Sequence, residues 1–231
     1  MASNGVGMNI FITGANRGIG LGLELKELQN KSGSPVKLIQ IDVQNDVSII
    51  SAVAQVDKVI SATGGGLNVL INNSGILDKS GGIGATHPDR QVYARHFDVN
   101  ATGVAMTTAA FLPLIRRANV AGQAAKIINV SSQLGSTANL KSSGAIFGGN
   151  IIYGMSKAAL NHFTTGLSVE VKDTNIVTIA LCPGWVRTDM GGDTATLSVE
   201  ESASAIAKLI SALKKEHSGM YLDRFGNPIN Y

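Results

Sequence analysis

The sequence predicts an α/β fold, a single doubly wound parallel sheet with helices on both faces. Three observations carry that expectation. Short apolar, β-branched runs alternate with helical patterns along the chain. The runs are apolar at nearly every position, as strands buried on both faces require. Alternation of strand and helix implies right-handed crossovers between parallel neighbours.

Along the chain, "MNIFIT" (8–13) reads as the first strand and 18–30 as the first helix. "VKLIQIDV" (36–43) is the next strand pattern, with a helix over 46–61 after it. "LNVLINN" (67–73), "AKIINVSS" (125–132) and "IVTIALCP" (176–183) complete the strands, separated by helices over 90–118 and 153–173 and trailed by one over 198–214. The Gly/Ser-rich stretches 78–86 and 135–150 read as loops near the carboxyl ends of strands, where this architecture places ligands. No repeat or linker divides the chain, so 1–231 reads as one domain.

Composition narrows the function classes. The 231 residues are 44% hydrophobic and 15% charged, enough for a sizeable core and against disorder. A net charge of +3 without a block of like charges argues against nucleic-acid binding, while the basic balance suits a phosphate-bearing ligand. A single cysteine, Cys182, excludes an intrachain disulfide and fits a reducing compartment. With no long apolar run and no signal-like start, the expectation is a soluble cytoplasmic protein that engages no membrane.

The stretch "TGANRGIG" comes after the first strand and opens a helix, placing Gly14, Gly18 and Gly20 where backbone amides can approach a pyrophosphate. This makes the sheet Rossmann-type; the alternative is a plain tight turn. Arg17, inside the loop, is either a solvated surface arginine or a clamp for a ribose 2′-phosphate, which favours NADP(H) over NAD(H). In "YGMSK", Tyr153 and Lys157 stand four apart and share a helix face. An ammonium there lowers the phenol pKa from ~10 toward neutrality and makes a general acid/base. Ser132 ends a strand where its hydroxyl can hold a carbonyl oxygen; the alternative is ordinary turn capping.

In order, "TGANRGIG", "NNSG" (72–75), "VNATG" (99–103), "NVSS" (129–132), "YGMSK" (153–157) and "PGWVRTDM" (183–190) together resemble the short-chain dehydrogenase/reductases. The later part, "LCPGWVRTDMGG" with "HSGMYLDRFGNPINY", is most similar to sniffer-type carbonyl reductases and implies a late strand at "GMYLD". The resemblance implies NADPH-dependent reduction of a small aldehyde, ketone or quinone. Tyr153 matches the acid, Lys157 its partner that also holds the nicotinamide ribose, and Ser132 the substrate-orienting serine, with Ser131 a weaker candidate. Asn100 matches the asparagine that holds a water in the proton relay. Cofactor contacts are implied at Gly14, Asn16, Arg17, Gly18, Ile19, Gly20, Asp42, Val43, Asn73, Ser74 and Gly75, and at Pro183, Gly184, Val186 and Thr188. Ser74 replaces the usual alanine. The segment "GGDTATLSVEE" matches a mobile substrate lid. A homodimer or homotetramer, paired through the helices over 90–118 and 153–173, is implied as well.

Two departures stand out. Ser132 and Tyr153 are separated by extra loop residues, which loops absorb at little entropic cost. The more serious departure comes after Leu23, where the chain runs directly into "ELKELQNKSGSPVKLIQIDV". By resemblance this is already the second helix and third strand, so the second strand and its cofactor-selecting tip are missing. Read from spacing alone, Asp42 stands where an NAD-selecting acid belongs; by resemblance it is the third-strand acid that contacts adenine. An unfilled gap would orphan the facing backbone groups of two strands at ~1–3 kcal/mol each. So either strand 36–43 shifts inward beside the first strand or the native chain contains residues that this sequence omits. Three readings stay open: an active carbonyl reductase, a cofactor-impaired relative acting as a binding or regulatory protein, and a nucleotide-sugar enzyme on the same fold.

Overall fold

The computed structural model describes residues 8–23, 36–62, 65–78, 87–120, 125–143 and 151–231. Among these, five parallel strands form one sheet in sequence order: β1 (Ile10–Ile12), β2 (Val69–Asn72), β3 (Ala125–Val130), β4 (Ile176–Cys182) and β5 (Tyr221–Asp223). The helices are α1 (Gly18–Leu23), α2 (Asp46–Ser61), α3 (Arg90–Phe97), α4 (Gly103–Val120), α5 (Thr137–Ser143), α6 (Ile151–Glu170) and α7 (Val199–Ala212). The part of the expected first helix beyond Leu23 and most of the two Gly/Ser-rich stretches lie outside the described residues.

Helices cover both faces of the sheet, which explains the uninterrupted apolar strands. Every residue of β2, β3 and β4 is buried. Val69, Ile71, Ile128, Val130, Ile179 and Leu181 face Leu23 of α1 and Ile206, Leu209 and Ile210 of α7. Leu70, Ile127 and Ile176 face the other way, against Val56 of α2, Phe111 and Ile115 of α4, and Leu167 of α6. Phe11 of β1 stacks on Phe111 at 4.6 Å, pinning the edge strand to α4.

Local sequence sets the helix starts. Asn45 accepts from the Ser48 amide and caps α2, Asp89 caps α3, and Ser198 with Glu201 forms a reciprocal capping box on α7. The helix expected over 90–118 is interrupted by a π-helical segment, Asp98–Thr102. A Cβ at Gly103 would lie 2.6 Å from the Val43 carbonyl oxygen, so the helix passes that backbone closely where its winding changes. The stretch expected as loop over 135–150 contains α5. Its first donors, the Ala138 amide and the Thr137 hydroxyl, are satisfied by the Tyr231 carbonyl oxygen. No local pattern announces such a partner.

The strand expected over 36–43 does not form. No backbone hydrogen bond joins 36–41 to β1, which pairs only with β2 among the described residues. The downstream end of the segment is fixed by other contacts. Val43 packs beside Gly103, the Gln44 side-chain amide donates to Asp98 at 2.8 Å, and the Asn45 backbone amide donates to the Asp42 carbonyl. These contacts tie residues 43–45 to the π-helical segment and the start of α4. Ile39 and Ile41 still pack on the α2/α4 core, but Leu38 is 83% exposed. A cleft of 2130 Å³ is lined by β1 and this segment and continues past the glycine loop to Tyr153 and Lys157.

Candidate active site

The carboxyl ends of the strands converge on that cleft, as the fold requires of its ligand side. Thr13, just past β1, is buried, and its hydroxyl accepts from the Asn73 and Ser74 amides at 3.0 Å each. The Asn73 side chain donates in return to the Thr13 and Gly14 carbonyls, both at 3.1 Å. The glycine loop is thereby tied to the end of β2. Gly14 and Gly18 adopt φ of 64° and 55°, a region costly for other residues. At Gly20 a Cβ would lie 2.6 Å from the Gly14 carbonyl oxygen, so the turn admits no side chain there.

Other expected cofactor residues fall around the same cleft. Asn16 and Asp42 line it, and Ile19 packs partly buried against the α1/α7 core. Asp42 is exposed and holds its own turn, accepting from the Gln44 amide. Thr188 touches Gly18, since a Cβ on that glycine would meet the Thr188 methyl at 3.2 Å. Arg17 pairs with Asp189 at 3.2 Å, joining the glycine loop to the segment after β4. Both partners are more than two-thirds exposed, so the pair contributes ~0–1 kcal/mol and gives way readily to a stronger anion.

The segment after β4 is more fixed than a free lid. Gly184 has φ 88°, and Pro183 accepts from the Ser202 hydroxyl. Buried Val186 bridges to Leu197, and backbone bonds run from Arg187 to Leu197 and from Leu197 to Trp185. Gly191 and Gly192 donate to Thr188, and α7 begins at Val199. Within the stretch expected as a lid, 191–197 is folded back on 185–188 and the remainder opens a helix.

Helix α6 brings Tyr153 and Lys157 to the cleft on one face. Tyr153 is buried and hydrogen-bonded to Ser132, whose hydroxyl also accepts from the Leu134 amide. Lys157 is buried, donates to the Val130 carbonyl at 2.7 Å and lies 5.7 Å from the Tyr153 ring centre. Asn100, in the π-helical segment, is locked by three bonds: its amide donates to Ile76 and Ser156, and its carbonyl accepts from the Ile76 amide. A Cβ on Gly75 would lie 3.3 Å from Asn100 Oδ1 and 3.6 Å from Lys157 Nζ, so a side chain at Gly75 would crowd both groups where Gly75 and Lys157 line the cleft.

The electrostatics correct one expectation. Lys157 does not depress the Tyr153 phenol in the free site; burial pushes the phenol well above its ordinary value, outweighing the hydrogen bond with Ser132. The ammonium is committed to Val130, and the same burial draws Lys157 down from 10.5 to about 8.

Sequence reasoning missed the supports behind these groups. Asn161 stands four residues after Lys157, and its carbonyl accepts from the Ser131 hydroxyl at 2.5 Å. Extending the Tyr153–Lys157 spacing by one more turn would have found it. Ser131 thus faces Asn161, leaving Ser132 as the serine bonded to Tyr153. The buried Tyr221 phenol donates to the Ser132 carbonyl at 2.5 Å, a contact across 89 residues that no spacing encodes.

The glycine loop and the Gly75–Lys157–Thr188 side fit the pyrophosphate and nicotinamide halves of a dinucleotide. The glycines provide a cradle that any Cβ would fill. Beyond the glycine loop the cleft continues between β1 and residues 36–44.

The short chain dehydrogenase family model matches residues 22–198, beginning two residues past Gly20. An uncharacterized oxidoreductase of Schizosaccharomyces pombe is 31% identical, covering 96% of this chain and 97% of its own. That alignment spans 262 positions, more than this chain's 231 residues, so the relative carries residues with no counterpart here. Among solved structures, the carbonyl reductase Sniffer of D. melanogaster superposes with a TM-score of 0.85 at 33% identity, covering 97% of this chain and 100% of that one. The NADPH-bound carbonyl reductase from chicken fatty liver gives 0.84 at 31%, covering 96% and 98%. Matching strand ends, glycine loop and family model agree: the chain belongs to the short-chain dehydrogenase family and is, as a member, an NAD(P)-dependent oxidoreductase.

Proposed function

We propose that the protein reduces a small aldehyde, ketone or quinone with NADPH. The observation that carries this reading is the buried Tyr153 phenol, bonded to Ser132 and one helical turn from Lys157 at the cleft. When bound, the nicotinamide cofactor supplies the hydride. Ser132 holds the carbonyl oxygen, and Tyr153 delivers a proton to it as the oxygen gains charge. A phenol kept protonated by burial enters that step with its proton in place. Lys157 and the Gly75 side hold the nicotinamide ribose, Asn100 fixes the wall between them, and Gly14–Gly20 hold the pyrophosphate. Pro183, Gly184, Val186 and Thr188 shape the nicotinamide face. The test is fluorescence titration with NADPH, then its oxidation with an aldehyde; binding without oxidation of any carbonyl compound would overturn the reading.

NADPH is preferred over NADH on the strength of Arg17, and the NADPH-bound reductase from chicken fatty liver supports the choice. Changing Arg17 to Ala breaks only an exposed ion pair, so the melting temperature stays near that of the parent. It should erase the ratio of NADPH to NADH affinity, and an unchanged ratio would remove Arg17 from the 2′-phosphate site.

Lys157 gives the reaction a pH limb. With its folded value at about 8, kcat/KM for reduction falls as pH rises through that point and the ammonium is lost. Stability runs the opposite way. Between about 8 and 10.5 the unfolded chain holds the proton and the folded chain does not, so this group adds stability as pH rises. A kcat/KM profile flat through that window would contradict the assignment.

A cofactor-impaired binding or regulatory protein is the second reading, favoured by the open adenosine end between β1 and 36–43. Failure to bind NADPH at all would select it. The first reading carries a cytoplasmic homodimer or homotetramer paired through α4 and α6, on which Met106 and Met155 are exposed. No helix among the described residues is long and apolar enough to cross a membrane.

A further inference from the structure

A second cavity, of 320 Å³, opens beside the turn after Ser132. Four of its lining side chains end in polar groups that make no hydrogen bond or ion pair among the described residues: the amides of Gln133, Asn139 and Asn230, and the guanidinium of Arg224. The acid in the lining, Asp223, feels the Arg224 charge without bonding to it. Its two oxygens accept instead from the Phe225 amide at 2.8 Å, the Asn227 amide at 2.9 Å and the Asn227 side chain at 2.9 Å. The cavity therefore presents a cation with unused donors, and further donors around it.

Arg224 is also held in place. Its guanidinium lies 4.2 Å above the Phe225 ring, which keeps the planar fork oriented. On its other side it packs on the Gly184 turn, where a Cβ would come within 2.9 Å of a guanidinium nitrogen. Gln133 follows Ser132 and Gly184 follows Pro183 in the chain, and Cys182 in the lining acts electrostatically on both Tyr153 and Lys157, so the cavity lies near the groups assigned to the carbonyl and the nicotinamide. A fixed guanidinium with free donors, ringed by amides, matches the planar oxygens of a carboxylate. The volume is at the lower end for small-molecule sites, about 300–1,000 Å³, and suits a group of that size.

We propose that this cavity receives a carboxylate on the substrate, and that the preferred carbonyl compounds are small oxo or aldehyde acids. The substrate part of this inference rests on the reductase reading; the anion site does not. Two aldehydes with the same reacting group separate them: 4-carboxybenzaldehyde and its methyl ester. The parent should show a lower KM for the acid. Arg224→Met should raise that KM about ten- to a hundred-fold, the worth of a charge-assisted bond, and leave kcat and the ester's KM unchanged. A variant with an unchanged KM for the acid, or with equal losses for acid and ester, would overturn the proposal. Calorimetry with benzoate needs neither cofactor nor turnover. Binding by the parent and not by Arg224→Met supports the anion site even where the parent reduces neither aldehyde, a result that would sink the reductase reading alone. Absence of benzoate binding to the parent, or equal binding to both proteins, overturns the anion site.

Discussion

Replacing Tyr153 with Phe should lower carbonyl reduction by ~10²- to 10⁴-fold while NADPH affinity stays close to the parent's. Only the proton donor is removed. The ring keeps its place in a buried position on α6, and the Lys157 bond to Val130 and the close packing at Gly75 are untouched. Ser132 retains its bond from the Leu134 amide and the Tyr221 bond to its carbonyl, so its backbone does not move. The comparison requires kcat and KM from steady-state oxidation of NADPH, with the cofactor dissociation constant from fluorescence titration. Activity within a few-fold of the parent would show that another group delivers the proton.

The second large effect concerns the open end of the cleft. Inserting a family-like strand-two segment after Leu23 should tighten NADPH by ten- to several-hundred-fold. Such a segment places a strand between β1 and 36–43, where one end of the cleft now lies. Its tip would add one or two charge-assisted bonds to the adenosine ribose and 2′-phosphate, worth ~1.5–3 kcal/mol each, and every ~1.4 kcal/mol is a factor of ten. The longer alignment of the fission-yeast relative motivates the design. The glycine loop Gly14–Gly20 and the Tyr153–Lys157 face are the same in both versions, so kcat at saturating cofactor should change little. Equal dissociation constants for the two chains would mean that the gap is silent and that the adenosine end is held by other groups.

Much of the site was legible in the sequence because its groups sit at strand ends, and strand ends are set by local pattern. Covering a sheet on both faces demands uninterrupted apolar runs, and "LNVLI", "AKIINV" and "IVTIALC" are such runs. The residues just past each run, Asn73 to Gly75, Ser131 and Ser132, or Pro183 and Gly184, then lie on the ligand side by topology alone. Gly14, Gly18 and Gly20 could be read because a tight approach of backbone leaves no other residue type. The Tyr153–Lys157 pair could be read because four residues make a helical turn.

Tertiary structure decided the rest. "VKLIQIDV" carries a strand pattern equal to that of β1, yet it stays unpaired, since a strand is completed by a neighbour and not by its own residues. The rise of the Tyr153 phenol came from burial, which depends on everything packed around it and outweighed the bond with Ser132. Arg17 found Asp189, and Tyr221 found Ser132, across separations of 172 and 89 residues. Sequence spacing fixes which groups can meet within a turn or a strand; contacts between distant segments exist only once the sheet has set their distance.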